Sequence, residues 1–133
     1  MPPPPSIWFS YAVIRIVPRV ERGEFLNVGI ILFARTVHFL VSCIELDRPR
    51  LRAFAPSLDM AIIERHLDAF VAIGAGSAAG GPIAQLPPSE RFHWLTAPRS
   101  AMIQTSPIHI GCGADPRTAL DALCDALVRP PIA

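Results

Sequence analysis

The stretch Arg22-Gly23-Glu24-Phe25-Leu26-Asn27-Val28-Gly29-Ile30-Ile31-Leu32-Phe33 constrains this chain most. A polar turn carrying opposite charges runs directly into a strongly apolar strand, Asn27 to Phe33. Gly29 lies inside that strand, where glycine weakens the ladder unless the backbone bulges or admits a close neighbour. A first strand is predicted from Trp8 to Val17. If it is regular, Ala12, Ile14 and Ile16 face one way, and Tyr11, Val13, Arg15 and Val17 the other. Pro18 ends it, since proline cannot donate to a ladder. The short turn Ala34-Arg35-Thr36 returns the chain into a third strand, Val37 to Glu45, antiparallel to the second.

Beyond the hairpin the signals change to helical. Arg48 to Ala55 reads as a short helical turn or irregular segment. Ser57 and Asp59 then open a helix whose apolar face is Met60, Ile63, Leu67, Phe70 and Val71, with Gly74 as its stop. Residues 74 to 82 are rich in glycine and alanine and read as a flexible loop. Their glycines follow a helix rather than a strand, which is the wrong context for cradling a nucleotide. A short helix capped by Ser89 and a fourth strand, Ala101 to Thr105, come next. Ile108 to Gly111 is either an extended tail or a short edge strand. Asp115 caps a last helix, with Pro116 at its first position and Leu120, Leu123, Cys124, Leu127 and Val128 as its stripe. The order predicts an α+β fold, an antiparallel sheet of about four strands with two main helices on one face. The expected organisation is a disordered proline-rich arm at 1–7, one domain at 8–129 and a tail at 130–133.

Composition narrows the function. The chain has 133 residues and a net charge of +1, too little for a broad nucleic-acid binder, which needs a basic stripe. Charged residues make up only 17%, so an exposed apolar patch and a partner are expected. All twelve basic residues are arginine, so every basic site offers a planar fork suited to carboxylate or phosphate. The cysteines, Cys43, Cys112 and Cys124, are odd in number and form no C-x-x-C pair, which suits a reducing cytoplasm. Met1 and four prolines do not make a secretory signal, and no apolar run is long enough to span a membrane.

Two polar clusters stand out. Arg15, Arg22, Glu24 and Asn27 would converge at one end of the sheet if the first two strands pair. Two guanidinium groups there would hold a phosphate or carboxylate through charge-assisted bonds, with Glu24 as a base or an ion-pair partner. The structural alternative is an Arg–Glu bridge that pins the loop while Asn27 caps backbone groups. The second cluster is Arg99, Ser100, Gln104, Ser106 and His109, with Gln104 and Ser106 on one side. Histidine suits proton transfer near neutral pH, but no residue stands at a diagnostic distance to complete a triad. His109 and Cys112 alone cannot make a zinc site. His38, His66 and His93 read as surface or packing residues. No metal or cofactor is expected.

The run Tyr11-x-Val13-Ile14-Arg15-x-Val17-Pro18, the stretch from Arg22 to Phe33, and Arg99-Ser100 followed by Ile103-Gln104-x-Ser106-Pro107-x-His109-x-Gly111 together resemble the bacterial family called domain of unknown function 3037. The resemblance runs from about Tyr11 to Val128. The family has no assigned activity, so it supplies no catalytic residue. Its members tend to be encoded beside HipA-like kinases, which implies a companion role. The expected function is a small cytoplasmic accessory or binding module that recognises an anionic small molecule or a protein partner such as a HipA-like kinase. The alternative is an enzyme acting on a phosphate ester or nucleotide, which requires Glu24 and His109 to share a pocket.

Overall fold

Alternation along the first strand organises the molecule. In a computed structural model that describes residues 6–131, β1 (Ile7–Ile16) is the strand on which the sheet is built. It pairs antiparallel with β2 (Leu26–Ala34), and β2 pairs antiparallel with β3 (Phe39–Ile44). The other edge of β1 is shared by two short strands. β4 (Ile103–Thr105) pairs with residues 14–16 of β1, and β5 (His109–Gly113) with residues 7–11. Pro107, which has no donor to give, lies between them. There Ser106 Oγ accepts from the Val13 amide at 2.8 Å, so a buried side chain continues the ladder where the strand breaks. The tail or edge strand expected near Ile108 is thus a fifth strand. Residues 1–5 of the expected proline arm lie outside the described residues.

Among the described residues four α-helices complete the fold: α1 (Arg48–Phe54), α2 (Met60–Ala75), α3 (Pro88–Thr96) and α4 (Pro116–Leu127). The class is α+β, as expected. The helices divide between the two faces of the sheet rather than sharing one. Ala12, Ile14, Ile16, Leu26, Val28 and Ile31 pack against Leu51 of α1, Ile63, Leu67 and Phe70 of α2, and Phe92 and Leu95 of α3. Phe9, Val13, Ile30, Leu32 and Ala34 pack against Leu120, Cys124 and Val128 on the α4 side. The reason lies in β2. It is apolar on both faces, so each face must be covered.

Gly29 explains how β2 serves both cores. Ile14 stands opposite Gly29, but Arg15 stands opposite Asn27, so the register shifts by one residue at this point. Leu26, Val28 and Ile31 therefore face the α1–α3 side, a change of parity that a regular strand cannot make.

Several helix ends differ from expectation. The cap of α2 is Asp59, which accepts from the Ala61 and Ile62 amides, rather than Ser57. The helix passes through Gly74 and ends at Gly76, whose φ of 69° is left-handed. The glycine-rich segment that follows is built of two single 3₁₀ turns, Ala78–Gly80 and Ile83–Gln85. Gly80 lies so close to Ala84 and to the backbone at Ala72 and Ile73 that a Cβ there would collide, so this segment packs against α2. The expected Ser89 cap is replaced by a start at Pro88. Asp115 and Pro116 open α4 as expected.

Candidate functional site

Strand register places three of the singled-out residues side by side. Arg15 of β1 is flanked by Asn27 of β2 and Gln104 of β4, and all three project from the α4 side of the sheet. α4 packs chiefly over β2 and touches β1 and β3. Toward β4 and β5 the cover thins: Tyr11, Arg15 and Gln104 are half-buried and His109 is exposed.

Each member of the row is held differently. The Arg15 guanidinium carbon lies 3.9 Å from the centroid of the Phe25 ring, a cation–π contact. Its Nε is buried and has no hydrogen-bond acceptor among the described residues, nor does any carboxylate there pair with it. Partial burial lowers its pKa, though an arginine remains cationic at neutral pH. Asn27 donates from Nδ2 to the carbonyl of Leu127 at 3.0 Å, tying β2 to the last turn of α4. Its Oδ1 is buried without a donor. Gln104 donates from Nε2 to the carbonyl of Ala101 at 2.8 Å.

Arg22 and Glu24 are not part of this row. They pair with each other in the connection between β1 and β2 and are largely exposed. The hydrogen bond and charge of Arg22 hold the Glu24 carboxyl below its ordinary range, which makes it a weak base. With Pro18, Arg19 and the end of α1, Phe54 to Ser57, they line a separate depression of about 240 Å³. This is the loop-pinning arrangement.

Arg99 lies on the opposite side of the sheet. Its guanidinium stacks on Trp94 at 4.5 Å and donates to the Trp94 carbonyl, in a cleft with His66, Phe70 and Ile103. Ser100 is exposed in the bend beyond it. His109 shares the α4 side with Arg15 but sits opposite Tyr11, its ring 5.4 Å from the tyrosine ring. Four strand residues, about 13 Å, separate Tyr11 from Arg15. Glu24 and His109 therefore share no pocket, and the acid–base pair required for the phosphate-ester alternative is not assembled. Ser106 is consumed by the ladder.

Two features went unread in the sequence. Phe25 is the platform under Arg15. In the sequence it is one aromatic after a charged turn; in the fold it is 44% exposed, and an exposed aromatic has many explanations. Arg129 makes a bidentate pair with Glu45 at 2.8 Å and reaches Asp121 at 3.0 Å, joining α4 to the end of β3. It follows the helix by two residues, and nothing in local spacing points to Glu45. Among the described residues no three His, Cys, Asp or Glu side chains are grouped to hold a metal ion.

The residues of the row and of the Arg99–His109 block fall within a single match to the family described as Protein of unknown function (DUF3037), over residues 11–128. The chain belongs to this family. No curated protein and no solved structure matches it. For DUF3037, then, the match supplies a common sequence pattern over β1 to α4, and the chemistry must be argued from the side chains. No helix among the described residues is long and apolar enough to cross a membrane.

Proposed function

We propose that the protein is a small cytoplasmic accessory module that binds an anionic group through Arg15 on the α4 side of the sheet. The observation that carries this reading is the state of Arg15. Five other arginines have acceptors: Arg22 with Glu24, Arg48 with Glu64, Arg129 with Glu45 and Asp121, Arg91 and Arg99 with backbone carbonyls; the Arg91 Nε is also buried without an acceptor, but its Nη1 donates to the Leu86 carbonyl. Arg15 has a stacking platform, a buried Nε without an acceptor, and no carboxylate among the described residues. An unpaired buried donor costs about 1–3 kcal/mol, which an incoming oxyanion recovers. A carboxylate or phosphoryl group meets the fork bidentately.

Asn27 and Gln104 flank the anion and limit its size. The Tyr11–His109 pair lies farther along the same face, within reach of an extended ligand or a protein surface. The anion belongs either to a small molecule or to a protein partner, and the family resemblance makes a HipA-like kinase the partner to try first. Exposed Trp8 and Ile110, at 67% and 73%, lie on the other face of the sheet, with Ser10 and Ala12, and so do not border this site.

Calorimetric titration with inorganic phosphate and pyrophosphate tests the reading. The wild-type protein and Arg22→Ala should bind alike. Arg15→Ala should bind roughly tenfold or more weakly, as expected for loss of a charge-assisted bond worth about 1.5–3 kcal/mol. Equal affinity of Arg15→Ala and wild type would remove Arg15 from the site.

A further inference from the structure

The free edge of β3 has the features of a strand-pairing surface. Among the described residues β3 has a neighbour on one side only, β2. Its sequence, Phe39-Leu40-Val41-Ser42-Cys43-Ile44, contains no charge and no proline. Monomeric proteins usually blunt such an edge with lysine, proline or a bulge. All six residues are half-buried, because α2 packs beside the strand on one face and α4 on the other. Between β3 and α4 lies a groove of about 680 Å³, whose walls include Val41, Cys43, Leu120, Arg117 and Asp121.

Charge identifies the occupant. α4 runs in the same direction as β3. At the start of the strand, Arg117 lies over the Phe39 ring at 5.3 Å and has no carboxylate partner among the described residues. At the far end, Glu45, Asp121 and Asp125 share the single guanidinium of Arg129. The groove itself carries Arg117 and Asp121; beyond its far end three carboxylates share one guanidinium, while Asp115, beside Arg117, is engaged in capping α4. Asp121 and Asp125 are 73% and 76% exposed.

We propose that β3 pairs antiparallel with the β3 of a second copy of this chain, forming a two-fold dimer with one continuous sheet. An antiparallel two-fold sets the start of one β3 beside the end of the other. Arg117 of each copy then faces the Asp121–Asp125 stretch of the other copy, twice over. A parallel two-fold would put the two α4 helices on opposite faces of the joined sheet, where Arg117 meets neither aspartate. An isologous interface requires this self-complementarity, and strand addition supplies the backbone hydrogen bonds.

Sedimentation equilibrium with charge-exchanged variants tests the proposal. The wild-type chain should sediment at twice its 14.4 kDa. Arg117→Glu alone and Asp125→Arg alone should each dissociate at least tenfold more readily. Mixed one to one, the two variants should dimerise again, because the mixed dimer restores opposite charges at both ends. Circular dichroism of each variant verifies that α4 is intact. A wild-type monomer at the highest soluble concentration would overturn the proposal. So would a dimer insensitive to both substitutions but lost in Ile110→Lys, which would place the contact on β5. Two weakened variants that fail to recover on mixing would overturn the antiparallel pairing.

Discussion

A Cβ at position 29 would sit 2.4 Å from the Cys43 carbonyl oxygen and 2.8 Å from Ile44 Cδ1. Backbone cannot retreat from such a contact without disturbing the β2–β3 ladder. Gly29→Ala should therefore cost about 3 kcal/mol, at the upper end for overpacking. Gly113→Ala, where a Cβ meets nothing within 4 Å, should change stability by less than about 0.5 kcal/mol. Urea denaturation of the two variants checks this, and equal losses would contradict the steric account. Cys124 offers a second test. It is fully buried, and desolvation, followed by its contact with Cys43, pushes its thiol pKa from 9.0 up to about 12. A raised folded pKa contributes stability below the unfolded value that is lost as pH rises toward the folded one. Stability should fall between pH 9.0 and about 12 more steeply in the wild type than in Cys124→Ala. Parallel slopes would show that the thiol does not titrate differently in the folded chain.

The elements differ in how openly the sequence announces them. The two faces of β1 follow from strict alternation, and the expected partition of Ala12, Ile14 and Ile16 from Val13 is the one observed. Asp115 and Pro116 mark the start of α4 because a cap and a helix-compatible proline act locally. The division of helices between two faces was harder to read. Apolar residues on both sides of β2 require two covers, but they do not say which helix supplies each. The bulge at Gly29 also breaks the parity on which a facing argument depends. Of the candidate site, Arg15, Asn27 and Gln104 could be named from sequence, but their adjacency depends on pairing across strands far apart in the chain. The opposite sides taken by Arg15 and Arg99 depend on it equally. Caps give a direct test at this scale. Asp59→Ala should cost about 1 kcal/mol, whereas Ser57→Ala should cost little, since Asp59 accepts the amides at the start of α2. Thermal or urea unfolding checks it, and the reverse ranking would restore Ser57 as the cap.

The whole molecule combines a sheet covered on one face by three helices and on the other by a single one. The single helix leaves room beside it, and the unpaired Arg15 stands there. Arg22 and Glu24 neutralise each other in a loop, and Arg99 is spent on Trp94 and carbonyls across the sheet. The central claim is thus local: one guanidinium with its platform and two amide neighbours makes the anion site. Amide chemical-shift mapping during titration with pyrophosphate tests it most directly. The account predicts the largest changes at Arg15, Asn27 and Gln104, with little at Arg22 or Arg99. Changes centred on the Arg22–Glu24 depression, or none anywhere, would contradict it.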